Sequence, residues 1–258
     1  MKIIEWSIPE FKSFHMASKA LMQLKAYDFT HVLLLPFFES QASPYCITSH
    51  NTIKPDFGNW NDFESFCKLA NGLNLNIGVD VVLNHVSPKH ILAKYSTQAS
   101  PIHTNWTDVW QLNHAINEVE KYLMNHLHQL KNCGVQFIRL DAAFHIPTSL
   151  IEFIKRNFNF EVILDDYIQP EKLVFADFIL NHHFRNSLIE NQKFPSSLPP
   201  RNEIIYFSNH DTIETASPFL EFMEYTEWVQ HVLNCNHPIL MSHYEHISSI
   251  STYSFRKG

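Results

Sequence analysis

Eight short apolar runs, separated by helix-length stretches, are the feature of this sequence that most restricts its fold. The runs are continuous rather than alternating, which is typical of strands in a parallel sheet that is covered on both faces. Eight β/α units in 258 residues predict an α/β protein with a single (β/α)8 TIM barrel, and a doubly wound open sheet is the alternative. No GxGxxG motif follows the first run, which disfavours a dinucleotide-binding sheet. The runs cover residues 3–8, 30–38, 76–86, 135–143, 160–168, 172–180, 203–211 and 238–244.

Five stretches between these runs have the length and composition of helices. Gly72 and Gly134 lie at the ends of two of them and indicate where those helices stop. No repeat, low-complexity tract or linker divides the chain, so we expect residues 1–258 to form one domain. The predicted helices cover residues 14–27, 60–74, 117–133, 147–158 and 224–235.

Composition and charge exclude several classes of partner. The formal net charge is −7 and no basic cluster is present, so we expect no nucleic-acid partner. The apolar runs are too short to span a membrane, and the N-terminal stretch lacks the features of a secretory signal. Four scattered cysteines without a CxxC motif are typical of reduced thiols, so we expect a cytoplasmic protein. The sequence leaves the oligomeric state open.

Polar residues interrupt four of the apolar runs near their C-terminal ends. Arg139 and Asp141 lie two positions apart on one face of a strand, and a structural ion pair would explain them alone, since buried charges need partners. In a barrel, however, the carboxyl ends of all strands meet on one face, where active sites lie. The convergence of four clusters there favours a catalytic role. The clusters are Asn84 and His85, Arg139 and Asp141, Asp165 and Asp166, and Asn209, His210 and Asp211.

These stretches resemble the short regions that define the α-amylase superfamily, glycoside hydrolase family 13. Residues 80–85, DVVLNH, are similar to its D-x-x-x-N-H region, and residues 206–211, YFSNHD, to its F-x-x-N-H-D region. Residues 134–146, GVQFIRLDAAFHI, are similar to its G-x-D-G-F-R-x-D-A-A-K-H region. Residues 33–40, LLLPFFES, and 47–63, ITSHNTIKPDFGNWNDF, are similar to the strand-two segment of sucrose-phosphorylase-like and amylosucrase-like members. Residues 237–246 resemble the family's last region without its glycines.

The resemblance implies a retaining mechanism on an α-glycoside in which Asp141 is the nucleophile. Arg139 would keep this aspartate ionised and oriented, because a nearby cation lowers the pKa of a carboxylate. Asp211 would bind sugar hydroxyls more tightly in the transition state, and His85 and His210 would donate to hydroxyls of the same ring. The further residues expected to contact the substrate are His50, Asn209 and Asp166.

The proton donor is the point at which the sequence departs most from the family. The family presents a glutamate at the end of strand five, where this chain has Asp165 and Asp166. Two adjacent carboxyls can raise one another's pKa, as an acid catalyst requires. Because side chains alternate along a strand, only one of the two can face the barrel interior. Our interpretation makes Asp165 the proton donor and keeps Asp166 as the alternative.

Other departures change what surrounds the site. His50 stands where the family has a platform tyrosine, and Gln136, Phe137 and Phe144 replace the Asp, Gly and Lys of the fourth region. The domain that the family inserts after strand three is almost absent, and we expect no C-terminal β-sandwich. Because the inserted domain supplies calcium ligands in relatives, we expect no metal ion and no other cofactor.

The sequence thus predicts a retaining α-glycoside-active enzyme, a hydrolase, transglycosylase or phosphorylase, whose partner is a small carbohydrate or glycoside. One alternative is a degenerate member that binds a sugar or a protein without turnover, which the aspartate in place of glutamate supports. The other alternative is a barrel adapted to non-glycosidic chemistry.

Overall fold

A closed barrel of eight parallel strands forms the centre of the protein, in a computed structural model that describes residues 1–41, 43–98, 107–165, 170–191, 197–206, 234 and 236–242. Each strand pairs in parallel with its neighbours in chain order, and the last strand pairs with the first. The predicted TIM barrel is therefore confirmed, and the doubly wound sheet is wrong. The barrel strands are β1 (Lys2–Trp6), β2 (His31–Leu34), β3 (Asn76–Val81), β4 (Phe137–Leu140), β5 (Glu161–Leu164), β6 (Phe178–Leu180), β7 (Glu203–Tyr206) and β8 (Ile239–Ser242).

Helices follow most of the strands, and local signals fix their ends. The Ser13 side chain caps the second helix by accepting from the amide of Met16, and Asn59 and Asp62 form a capping box at the third. The helix predicted over residues 224–235 falls almost wholly outside the described residues. Among the helices that are described, none has the length and apolar character needed to cross a membrane. The helices are α1 (Ile8–Phe11), α2 (Phe14–Ala26), α3 (Trp60–Gly72), α4 (Asn117–Asn132), α5 (Thr148–Phe158), α6 (Pro170–Leu173) and α7 (His182–Asn191).

Two small antiparallel sheets lie in the connections after β2 and β3. Phe38–Ser40 pairs with Ile47–Ile53, and a three-stranded sheet is formed by His85–Val86, Trp110–Leu112 and Ser96–Gln98. Connections that follow barrel strands lie at the carboxyl face, so both sheets belong to the face where active sites form. The three-stranded sheet occupies the position where the resemblance places the inserted domain.

Most of the described strands are shorter than the apolar runs that predict them, and β3 and β6 are two examples. β3 ends at Val81, and the rest of the third run leaves the barrel. The sixth run, 172–180, begins inside the helical turn α6, and its strand starts only at Phe178. A continuous apolar run marks burial, and burial alone does not distinguish a strand from a helix or a covered loop.

The barrel interior is apolar at its amino-terminal end and polar nearer the carboxyl face. Ile3 and Phe137 belong to a buried cluster inside the barrel. Two positions further along the strands, on the same face, lie the buried charged residues Glu5, Asp80 and Arg139. The interior apolar residues are Ile3, Leu33, Phe137, Ile163, Leu180, Ile204, Tyr206 and Leu240.

Gly78 and Phe137 form a size-complementary pair inside the barrel. They are register partners on β3 and β4. A Cβ atom built on Gly78 would lie 2.2 Å from Cε2 of the Phe137 ring. The bulky residue at position 137, where the resembling family has glycine, is therefore accommodated by the glycine on the adjacent strand.

We expect the Gly78→Ala variant to lose about 1–3 kcal/mol of unfolding free energy, the usual cost of overpacking a well-filled core. Gly72→Ala is the matched control, because a methyl group added there would meet no atom within 4 Å and the residue ends α3 without a left-handed backbone. Urea unfolding of both variants measures the difference. Equal midpoints for the two glycine variants would contradict the packing account.

Candidate active site

A cavity of about 210 Å³ lies at the carboxyl face beside β3 and β4. It is smaller than the roughly 300–1,000 Å³ typical of sites for drug-sized ligands, so it suits a small molecule. Its wall combines two carboxylates, an imidazole and an aromatic ring with a few small groups. The lining residues are Ser43, Tyr45, Cys46, His85, Asp108, Val109 and Asp141.

Arg139 is the charged centre beneath this cavity. Its Nη1 lies 2.5 Å from Oδ2 of Asp80 and 3.6 Å from Oδ1 of Asp141. Burial opposes the charge of the guanidinium, but the surrounding carboxylates, led by Asp80, raise the pKa of Arg139 well above its usual value. The arginine therefore remains a cation that contacts Asp80 closely and Asp141 at longer range.

Asp80 holds a second partner in place at the cavity wall. The hydroxyl of Tyr45 donates to Oδ2 of Asp80 at 2.7 Å. Burial and the negative charge of Asp80 raise the pKa of Tyr45 well above its ordinary value, so the hydroxyl stays a donor. Asp80 thus fixes both the arginine below Asp141 and the tyrosine ring that lines the cavity.

Asp141 follows β4 directly and lies between a cation and an imidazole. Its amide donates to the carbonyl of Val81 at 3.1 Å, which continues the pairing of β3 with β4. Its Oδ2 lies 3.9 Å from Nε2 of His85, whereas its Oδ1 is the oxygen nearer Arg139. Its side chain is 13% exposed, at the wall of the cavity. This arrangement suits a carboxylate that acts as a nucleophile or stabilises a developing positive charge.

Asp165 follows β5 and binds the backbone of the loop after Asp141. Its Oδ2 accepts from the amide of Ala142 at 2.7 Å, and its Oδ1 accepts from the amide of Ala143 at 3.0 Å. Burial raises the pKa of Asp165, while Arg139 and the two amides act in the opposite direction. The predicted proton donor therefore has both carboxyl oxygens engaged by backbone donors.

His50 lies in the core, contrary to its predicted contact with a sugar. It is fully buried. Its Nε2 is 2.8 Å from the carbonyl of Val82, which makes this nitrogen the donor. Its Nδ1 therefore accepts from Nε2 of His90 at 3.1 Å, and Nδ1 of His90 accepts from the amide of Leu92. Because both ring nitrogens of His50 are satisfied inside the protein, it has no group to offer a ligand.

His50, His90 and His126 form a buried histidine cluster that makes stability depend on pH. Burial lowers the pKa of His50 to about 4, that of His90 to about 3, and that of His126 well below its ordinary 6.5. The unfolded chain therefore takes up protons first as the pH falls.

Among the described residues, no group of three or more histidine, cysteine, aspartate or glutamate side chains could hold a metal ion.

We expect the unfolding free energy to be at its full value above the ordinary histidine pKa of 6.5 and to fall towards about pH 4. The slope is about 1.4 kcal/mol per pH unit for each histidine that stays neutral only in the folded state. Urea unfolding at a series of pH values measures this slope. In His126→Leu the slope should be smaller by about 1.4 kcal/mol per pH unit, because one of these histidines is removed. A stability that does not change across this range would contradict the assignment.

The structure brings together Arg139, Asp141 and His85, and it places Asp165 on the adjoining loop. Tyr45 was missed by the sequence interpretation, although an aromatic residue in the loop after a barrel strand could have indicated it. Four further predicted site residues lie outside the described part of the chain. They are Asp166, Asn209, His210 and Asp211.

Sequence comparisons match part of the chain, including the motif at residues 80–85. Residues 17–125 match the family model for the alpha amylase catalytic domain. The chain is 31% identical over 116 residues to an alpha-1,4-glucan:maltose-1-phosphate maltosyltransferase from Bifidobacterium animalis, covering 36% of this chain and 15% of that protein. It is 34% identical over 67 residues to alpha-amylase 3 from Dictyoglomus thermophilum, covering 26% of this chain and 13% of that protein. The matched region thus spans a small part of these curated relatives.

Solved structures share the fold over most of the chain. An alpha-amylase from Lactobacillus plantarum has a TM-score of 0.80 at 17% identity, covering 94% of this chain and 70% of that one. A sucrose 6F-phosphate phosphorylase from Thermoanaerobacter thermosaccharolyticum has a TM-score of 0.63 at 16% identity, covering 81% and 59%. At these identities the likeness shows the fold alone. The predicted resemblance to the α-amylase family is therefore confirmed, by the family model over residues 17–125 and by the fold of the barrel.

Proposed function

We propose that this chain carries the site of a retaining α-glycoside-active enzyme that acts on a small sugar or glycoside. The observation that carries the proposal is the Asp141 carboxylate at the cavity wall, 3.6 Å from Arg139 and 3.9 Å from His85. A retaining mechanism needs an ionised carboxylate beneath the anomeric carbon, and the nearby guanidinium favours the ionised form.

In this mechanism Asp141 attacks the anomeric carbon and forms a covalent glycosyl-enzyme as the leaving oxygen takes up a proton. An acceptor then attacks the same carbon and releases Asp141. Water, a sugar hydroxyl or phosphate as the acceptor gives hydrolysis, transglycosylation or phosphorolysis.

The proposal assigns sugar contacts to His85, to Tyr45 and to residues of the family-like motifs. His85, within 4 Å of Asp141, donates to a ring hydroxyl near the reacting carbon. Tyr45, whose hydroxyl is anchored on Asp80, offers its ring as an apolar surface for the sugar to pack against. From the motifs, the proposal adds sugar contacts by Asn209, His210 and Asp211 and a proton donor from the pair Asp165 and Asp166.

The names of the relatives support this class of activity. The matched proteins are described as a maltosyltransferase and an alpha-amylase, and solved neighbours as alpha-amylases and a sucrose 6F-phosphate phosphorylase. All of these names refer to the cleavage or transfer of glycosyl groups.

Sugar binding without turnover is the second candidate function. One observation favours it: both oxygens of Asp165 are bound by the amides of Ala142 and Ala143. A carboxyl held in this way is poorly placed to protonate a leaving group.

A screen of the purified protein against aryl α-glycosides and disaccharides, with and without phosphate, tests the proposal. We expect release of the aryl group with retention of configuration, and a phosphate-dependent rate if the enzyme is a phosphorylase. Sugar binding by calorimetry with no release from any donor would favour the second candidate.

A further inference from the structure

The loop that follows Asp141 is bound on two sides by charged side chains from other elements. On one side the carboxylate of Asp165 accepts from the amides of Ala142 and Ala143. On the other side Nζ of Lys172, on α6, donates to the carbonyl of Ala143 at 3.1 Å and to that of Phe144 at 2.5 Å. Both charged groups, the Asp165 carboxylate and the Lys172 ammonium, come from outside the loop and bind its backbone.

The backbone of this loop needs such support. Ala142 has a φ of 50°, in the left-handed region. That conformation costs a residue with a Cβ roughly 1–2 kcal/mol, and such strain persists only where the surroundings hold it. Ala142 directly follows Asp141, so a change in its backbone would turn the Asp141 side chain.

The two charged groups are themselves fixed. Lys172 is 4% exposed and sits over the Phe144 ring, 5.7 Å from its centroid. The carbonyl of Asp165 accepts from Nε2 of His182 at 2.6 Å, and the hydroxyl of Tyr206 contacts the other nitrogen of that ring. These contacts connect β7, α7 and β5 to the loop after β4.

We propose that Asp165 and Lys172 are positioning residues that hold the Ala142–Phe144 turn and thereby aim Asp141 at the cavity. This inference rests on the proposed function, in which Asp141 is the nucleophile. It gives Asp165 a role other than proton donation, because both of its carboxyl oxygens are engaged by the amides of Ala142 and Ala143.

Hydrogen exchange at the amides of Ala142 and Ala143, followed by NMR, tests the contacts without a substrate. We expect exchange to be about tenfold faster or more in Asp165→Asn and Lys172→Met, since each loses charge-assisted hydrogen bonds. Lys155→Met is the matched control: Lys155 is a half-buried lysine that pairs with Asp177 away from this loop.

Unchanged exchange in Asp165→Asn would overturn the proposal. This variant keeps the side-chain volume, so it decides the test even if Lys172→Met does not fold. Exchange in the control should equal that of the wild type, and equal acceleration in all three variants would mean general loosening, which also contradicts the proposal.

Kinetics with two donors separate positioning from acid catalysis. If Asp165 positions Asp141, Asp165→Asn should slow glycosyl-enzyme formation by about 10–100-fold, from an α-glycosyl fluoride and from a disaccharide alike. The loss should fall on kcat rather than KM. If Asp165 were the acid, only the disaccharide would suffer, because fluoride leaves without a proton donor.

A wild-type rate with the glycosyl fluoride in Asp165→Asn would overturn the positioning role. If the wild-type protein forms no glycosyl-enzyme from any donor, the proposed function fails. The exchange measurement still decides whether Asp165 and Lys172 hold the turn.

Discussion

Replacing Asp141 by asparagine is expected to abolish turnover of glycosides while the fold survives. The substitution keeps the side-chain volume and removes the proposed nucleophile. Loss of a nucleophile typically costs on the order of 10⁴–10⁶-fold in kcat. The unfolding midpoint should stay close to that of the wild type, because Arg139 keeps its closer partner Asp80.

Two measurements check this result together, the rate with an aryl α-glycoside and the urea midpoint. Asp28→Asn is the matched control, since it removes one carboxylate from an exposed position just before β2, at the end of the barrel opposite the cavity. We expect this control to keep the wild-type rate. An Asp141→Asn variant that turns over glycosides within tenfold of the wild type would exclude Asp141 as the nucleophile.

Replacing Arg139 by methionine is expected to destabilise the protein by about 3–5 kcal/mol, the cost of leaving one member of a buried ion pair alone. Asp80 is fully buried, and Arg139 provides its contact at 2.5 Å. Without the guanidinium the buried Asp80 carboxylate must stay charged with no cation beside it or take up a proton. Activity should fall as well, because Asp141 loses the cation that favours its ionised form.

A double-mutant cycle separates the buried pair from the rest of the site. Asp80→Asn in the Arg139→Met background should recover part of the lost stability, since no unpaired charge remains. It should not recover activity. Arg139→Lys keeps the charge but lacks the planar guanidinium, so we expect a severe loss of activity. The coupling between Arg139 and Asp80 would be contradicted if the stability losses of the two single variants simply added in the double variant. If Arg139→Lys kept the wild-type activity, Arg139 would be a purely structural residue.

The fold could be predicted from the sequence because each barrel strand is buried on both faces and therefore reads as a continuous apolar run. The lengths of the elements could not be predicted in the same way. Lys172 belongs to an apolar run that predicts a strand, yet it lies in the helical turn α6 and is 4% exposed. Its burial depends on carbonyl groups of a loop that is distant in sequence.

The candidate site was predictable where residues lie in the connections that follow barrel strands. Asp141 and His85 lie close together because they follow adjacent strands of the barrel. The main partner of Arg139 was not predictable from its own strand. Arg139 on β4 lies beside its register partner Asp80 on β3, which is 59 positions earlier in the chain. The closer of the two ion pairs of Arg139 therefore joins neighbouring strands.

Two other parts of the site depend on tertiary contacts that no local pattern reveals. The position of His50 near a family motif predicts a sugar contact, but the carbonyl of Val82 and the ring of His90 hold it in the core. Asp165 lies at the end of β5 as predicted. The direction of its carboxylate is set by the amides of Ala142 and Ala143 on the neighbouring loop.

Mass spectrometry of a trapped glycosyl-enzyme tests the central claim most directly. The protein is mixed with α-glucosyl fluoride, quenched rapidly in acid and digested, and the peptides are searched for a covalently attached sugar. We expect one glucosyl adduct, on the peptide that contains Asp141 and on that carboxylate, and none in Asp141→Asn. An adduct on another residue, or a wild-type protein that releases fluoride catalytically without ever carrying the sugar, would contradict this claim.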